Sequence, residues 1–120
     1  MAEPRILSSG IVDARFGENV RVVQPVNLYG CTIGDDCVVS HGAKFINDPF
    51  SIGGPAHGDR NLWRATRVGN HVSIGTNATI LPVSICDHVV VGAGAVVTKD
   101  LTEPGVYAGN PARLLRRLNQ

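Results

Sequence analysis

Between Val68 and Val97 the chain repeats itself with a period that neither a helix nor an ordinary strand has. Large aliphatic residues stand at Val68, Ile74 and Ile80, then, after a step of five, at Ile85, Val91 and Val97. A smaller beat falls between them at Val72, Ala78, Val89 and Ala95, and Gly69, Gly75 and Gly92 each follow an aliphatic leader directly. Helical side chains recur about every 3.6 residues and strand side chains every 2. A period near six is that of a short strand plus a turn, and three such units close one coil of a hexapeptide β-helix. In that arrangement the leading aliphatic points into a triangular prism, the small residue fits the tightening corner, and glycine supplies backbone freedom near the turn.

The same rhythm occurs upstream at Phe16, Val22, Leu28, Ile33, Val39 and Phe45, with strides of six, six, five, six and six in both blocks. A shift of 52 residues lays Cys31 to Phe45 on Val83 to Val97. The pattern predicts an all-β chain of about four coils, two from each block, forming a single domain over 1–120. Ile46 to Arg67 breaks the rhythm, with Gly-Gly, two prolines and a tryptophan. It is expected to be extruded from the corner after Phe45 and to return at Val68 on the next face. A long insertion of this kind in a compact domain is uncommon and usually functional.

Four coils at about 4.8 Å per layer make a prism only about 20 Å tall, so flat walls and open ends must be covered, and self-association is expected. Met1 to Arg15 reads as an irregular lead-in, with Ile11 closing the lower end. At the other end Glu103-Pro104-Gly105 ends the rhythm. Asn110-Pro111 then reads as the cap and first residue of a short helix, 110–118, with Leu114, Leu115 and Leu118 on one face.

A formal charge of +1 with 43% hydrophobic residues describes a folded globular chain and argues against a binder of nucleic-acid phosphates. With no apolar run of signal-peptide or membrane-span length, a cytoplasmic protein is the default expectation. Cys31, Cys37 and Cys86 lie within the hexads without CxxC spacing and read as reduced, packed thiols.

The repeat supplies its own control for unusual residues. One corner stack reads Gln24, His41, Thr76, Ala93, so an imidazole stands where a small residue suffices, and histidine is suited to accept a proton at neutral pH. His71 and His88 are expected to stack on another outer corner above Asp36, without a compact metal-ligand spacing. His57 and Trp63 lie in the insertion, where Trp63 either anchors the loop or offers a stacking surface. Asn47 and Asp48 stand where the insertion leaves the prism. Arg113, Arg116 and Arg117 form the one basic cluster, suited to phosphates or to a solvated face.

With these residues in view, the chain resembles the hexapeptide-repeat acyltransferases of the left-handed parallel β-helix fold from Phe16 to about Leu118. The resemblance rests on the hexads, the extruded loop, GAGAVVTKD (Gly92 to Asp100) and GVYAGNPARLL (Gly105 to Leu115). CTIGDD (Cys31 to Asp36), HGAKFIND (His41 to Asp48), the DRN before Trp63 and ILPVSICD are similar to the N-acetyltransferases of nucleotide-linked amino sugars. Those enzymes usually carry a further coil between the segments corresponding to Asp36 and His41, which this chain lacks.

The resemblance implies a left-handed coil, a homotrimer, acetyl-coenzyme A as cosubstrate between subunits, and a role in surface polysaccharide synthesis. It implies His41 as general base and Asn47, Asp48 and Trp63 as acceptor-orienting residues. It implies a cofactor cleft lined by Gly75, Thr76, Ala78, Gly92 and Ala93, with Arg113 and Arg116 toward the phosphates, and no metal. O-acetylation of a sugar or small-molecule hydroxyl is the alternative within the same apparatus, and a non-catalytic β-helical scaffold is the alternative outside it.

Overall fold

The structure, a computed structural model, describes residues 2–4, 10–48, 53–54 and 64–118. The strands before the insertion are β1 (Ile11–Phe16), β2 (Arg21–Val22), β3 (Leu28–Ile33), β4 (Val38–Val39) and β5 (Lys44–Phe45). After it come β6 (Thr66–Val68), β7 (Ser73–Ile74), β8 (Thr79–Ile80), β9 (Ser84–Ile85), β10 (Val89–Val91), β11 (Val96–Val97), β12 (Gly105–Ala108) and β13 (Arg113–Arg117). No helix occurs among the described residues, so none there is long and apolar enough to cross a membrane.

These short strands stack into three sheets, the faces of a prism. The first face is ordered β1-β3-β6-β9, the second β13-β12-β10-β7-β4-β2 and the third β11-β8-β5. Every pairing is parallel except β12 with β13. The hexad leaders fill the interior as the periodicity requires: Leu28, Val39, Phe45, Ile80 and Val97 are fully buried, and Ala43, Ala78 and Ala95 occupy the tightening corners. Thr66 is the one buried polar residue described, and its hydroxyl donates to the Leu81 carbonyl at 3.4 Å.

The corner between the first and second faces is built by side chains that replace missing backbone partners. Asp35 accepts the Glu18 N–H at 2.8 Å, Asn70 accepts that of Asp35 at 2.8 Å, and Asp87 accepts that of Asn70 at 2.7 Å. Asn19, Asp36, His71 and His88 follow in left-handed conformation, with φ between 55 and 59°, where Asn, Asp and His are enriched among non-glycine residues. His71 and His88 stack at 4.8 Å between centroids and 13° between planes, and His71 Nε2 lies 3.8 Å from Asp36 Oδ2. The column is the one expected, and turn conformation together with stacking accounts for it. Among the described residues no group of three or more His, Cys, Asp or Glu is placed to hold a metal.

Four expectations are corrected. The lead-in is ordered from Ile11 onward, because β1 pairs with β3 in parallel register, Ile11 with Leu28 and Phe16 with Ile33. Ile11 does not close the lower end: it is 42% exposed and Phe16 40%, and both border a space of about 400 Å³ with Val20 and Val22. The insertion ends before Arg67, since β6 begins at Thr66 opposite Cys31, while the hexad leader Val68 pairs with Ile33 and Ile85 as expected. The helix at 110–118 is absent, and β13 folds back antiparallel on β12 instead.

The last correction has a simple cause. β12 leaves a row of unpaired N–H and C=O groups at the upper edge of the second face, and pairing them outweighs the few tenths of a kcal/mol per residue that favour helix in Arg-Leu-rich sequence. Leu114 packs on the core, while Leu115 sits at the register shift and is 67% exposed. Tyr107 Oη donates to the Glu103 carbonyl at 2.7 Å, and Arg117 Nε to Glu103 Oε2 at 3.0 Å.

The three cysteines are free. Burial first, and the charge of Asp13 second, push the Cys31 thiol from its ordinary 9.0 up to about 11. Below pH 9 the thiol is neutral in both folded and unfolded chains, so its contribution to stability is complete there. Between pH 9 and 11 only the unfolded chain ionises, and roughly 2 to 3 kcal/mol is lost. Denaturant unfolding at pH 8 and pH 10.5 should therefore show a steeper loss for the native chain than for Cys31→Ala.

Candidate active site at a prism corner

The corner between the second and third faces carries the histidine that breaks the repeat. Val39 pairs with Val22 below and Ile74 above, and Ile74 in turn pairs with Val91. Two residues further along each strand come Gln24, His41, Thr76 and Ala93, stacked as the repeat predicts. Their backbones interlock: the Asn77 N–H donates to the His41 carbonyl at 3.1 Å and the Gly94 N–H to the Thr76 carbonyl at 2.8 Å. Among the described residues the N–H groups of His41, Thr76 and Ala93 donate to no carbonyl, which leaves a ladder of free donors along the corner.

The His41 side chain is exposed and accepts or donates no hydrogen bond among the described residues. Beside it a depression of about 110 Å³ is lined by Pro25, Val26, Asn27, Gly42, Ala43 and Lys44. Lys44 Nζ bends back to donate to the Gly42 carbonyl at 2.9 Å, which holds its charge at the rim of this depression. Asn27 and Lys44 were not singled out from the sequence. The only available signal was their outward position in the hexads, shared with many residues that do nothing.

Gly75 and Gly92 belong to the same corner, but for a different reason from the one expected. Neither has a positive φ. A Cβ at Gly75 would lie 2.7 Å from the Ala93 nitrogen and the Val91 oxygen, and one at Gly92 would lie 3.2 Å from Ala108 Cβ. At Gly75 the next rung approaches too closely for a side chain, whereas at Gly92 the fit is tight but not closed. Gly75→Ala should accordingly cost about 1 to 3 kcal/mol, because backbone rather than a movable side chain blocks the new methyl; a thermal melt checks this.

Arg113 pairs with Ala108, which lies above Gly92, so it ends the column at its upper edge. Arg116 pairs with Val106, out on the second face and away from the corner. Ala78 is fully buried, so its methyl belongs to the core, while Gly75, Thr76 and Asn77 are reached by solvent at this level.

Asn47 and Asp48 sit at the opposite edge of the third face, where the insertion departs. The Asn47 carbonyl accepts the Arg64 N–H at 2.8 Å, tying the base of the loop, and its side chain lies against Gly30, which adopts φ +52°. Trp63 and His57 lie outside the described residues. One chain therefore gathers His41, Gly75, Thr76, Gly92, Ala93 and Arg113 on one corner and holds Asn47 and Asp48 on another.

Comparison with known proteins gives this corner a context. Residues 65–99 match the model of the hexapeptide repeat of succinyl-transferase. The chain is 36% identical over 118 residues to the galactoside O-acetyltransferase of Escherichia coli strain K12, covering 87% of this chain and 57% of that protein. Among solved structures, a maltose O-acetyltransferase from Clostridium difficile 630 is 26% identical with a TM-score of 0.76, over 90% of this chain and 60% of that one. A galactoside acetyltransferase in complex with coenzyme A is 29% identical with a TM-score of 0.64, over 89% of this chain and 56% of that one. The chain thus spans less than two thirds of the length of each of these proteins. These likenesses, which accord with the six-residue repeat and the three-faced parallel stack, are to a hexapeptide-repeat model and to acetyltransferases of which the chain spans only part.

Proposed function

We propose that this chain transfers an acetyl group from acetyl-coenzyme A to a hydroxyl of a sugar or similar small molecule, with His41 as general base. The observation that carries the reading is His41 itself, an exposed imidazole whose rungs above carry the smaller Thr76 and Ala93, beside a ladder of free amides. In the reaction His41 takes the proton of the acceptor hydroxyl as its oxygen attacks the thioester carbonyl. A C–O bond forms, the C–S bond breaks, and the departing thiolate receives the proton from the imidazolium. An amide of the corner, at Thr76 or Ala93, is suited to the negative charge that grows on the carbonyl oxygen. The amides and the small residues Gly75, Gly92 and Ala93 suit a pantetheine arm, and Arg113, with Arg116 further out, suits its phosphates.

Asn47, Asp48 and Trp63 are the acceptor-orienting residues of this reading. Since Asn47 and Asp48 stand across the third face from His41, a neighbouring copy is needed to bring a loop base against the corner, and a homotrimer supplies one to each subunit. Relatives named for galactoside and maltose O-acetylation support a hydroxyl acceptor. The CTIGDD and HGAKFIND segments favour a second reading, N-acetylation of a nucleotide-linked amino sugar. A thiol-release assay over hydroxy and amino acceptors separates them: release with simple glycosides supports O-transfer, release confined to nucleotide-linked amino sugars supports N-transfer, and none with either class leaves a scaffold.

A further inference from the structure

The first face carries a row of outward side chains that the acetyl-transfer reading does not use. Parallel register sets Arg15 against Thr32, Thr32 against Arg67 and Arg67 against Ser84, and all four are exposed. Arg15 and Thr32 also line a cleft of about 210 Å³ with Asp13, Gly30, Cys31 and Ala65, at the corner where the insertion leaves. Gly30 adopts φ +52° beside the Asn47 side chain, which ties this cleft to the base of the insertion.

We infer that Arg15, Thr32 and Arg67 form a binding site for a phosphoryl group at the edge of this cleft. Arg15 and Arg67 are two rungs apart, about 10 Å between backbones, a gap that two arginine side chains close from either side while the Thr32 hydroxyl stands between them. Two guanidinium forks and one hydroxyl supply enough directed donors for the three terminal oxygens of a phosphoryl group, more than the two oxygens of a carboxylate use.

The arginines are available for this. Neither forms an ion pair among the described residues. Among the described residues Asp13 is the one acid that lines the cleft. The chain as a whole carries only +1, so the cationic character belongs to this face and not to a general excess. The site stands independently of acetyl transfer and requires no turnover to be detected.

The test is an NMR titration of the full chain with inorganic phosphate at constant ionic strength, observing the Arg Nε–H and backbone signals. Saturable shifts are expected at Arg15, Thr32 and Arg67. Arg15→Gln and Arg67→Gln should each weaken binding by about tenfold or more, whereas Arg21→Gln, on the second face, should leave it unchanged. Arg15→Lys, which keeps the charge and loses the fork, should also weaken it and serves if the Gln variant does not fold. Shifts that do not saturate, shifts that survive both Gln variants, or equal binding of acetate would each overturn the inference.

Discussion

Replacing His41 by alanine is expected to lower turnover by about 10² to 10⁴ while leaving the affinity for acetyl-coenzyme A nearly unchanged. The split follows from position. The His41 side chain projects from its corner beside a small depression, whereas the free amides and the glycine column that suit the cofactor belong to the rungs above it. Removing the imidazole takes away the proton acceptor and leaves the backbone ladder intact. Because the side chain is exposed and makes no hydrogen bond among the described residues, the fold should tolerate the change, and a melt of the variant serves as the control. Turnover equal to that of the native chain would remove His41 from the role and point to proton transfer within the substrate.

Phe45→Ala should produce the largest loss of stability, about 3 to 5 kcal/mol. Phe45 is fully buried, fills the prism on the third face one rung above Leu28, and is the last fully buried residue before the insertion departs. Domains of this size rest on a margin of about 5 to 15 kcal/mol, so the variant should show a marked fall in its denaturant midpoint. Phe45→Leu should cost less, since it keeps most of the volume. A loss under about 1 kcal/mol for the alanine variant would mean that the interior is not packed around this ring.

The interior was legible because six-residue spacing has a single physical solution: the residues at that spacing must share one inside. The same logic placed His41 over Gln24 and under Thr76 and Ala93, and stacked His71 with His88 beside Asp36. Where that logic ends, reading the sequence fails. Residues 110–118 carry leucines at helical spacing, and nothing local reveals that β12 offers an unpaired edge to which they bind as β13. Gly75 looks like a turn glycine, yet what excludes a side chain there is the next rung, a contact invisible without the stack. Lys44 and Asn27, which line the depression, were hidden for the converse reason: an outward hexad position carries no sign of which corner it borders. The separation of Asn47 from His41 across the third face also follows only from the closed prism, and it is what makes a second copy necessary to the proposed site.

Whether the corner of His41, Thr76 and Ala93 binds acetyl-coenzyme A, as proposed, is read by calorimetric titration of the purified chain with that cofactor. Saturable binding near one site per chain, weakened by Arg113→Gln and preserved in His41→Ala, is the predicted result. Absence of binding at about millimolar cofactor, where even an affinity worth about 4 kcal/mol would register, would contradict it and leave a β-helix without the chemistry.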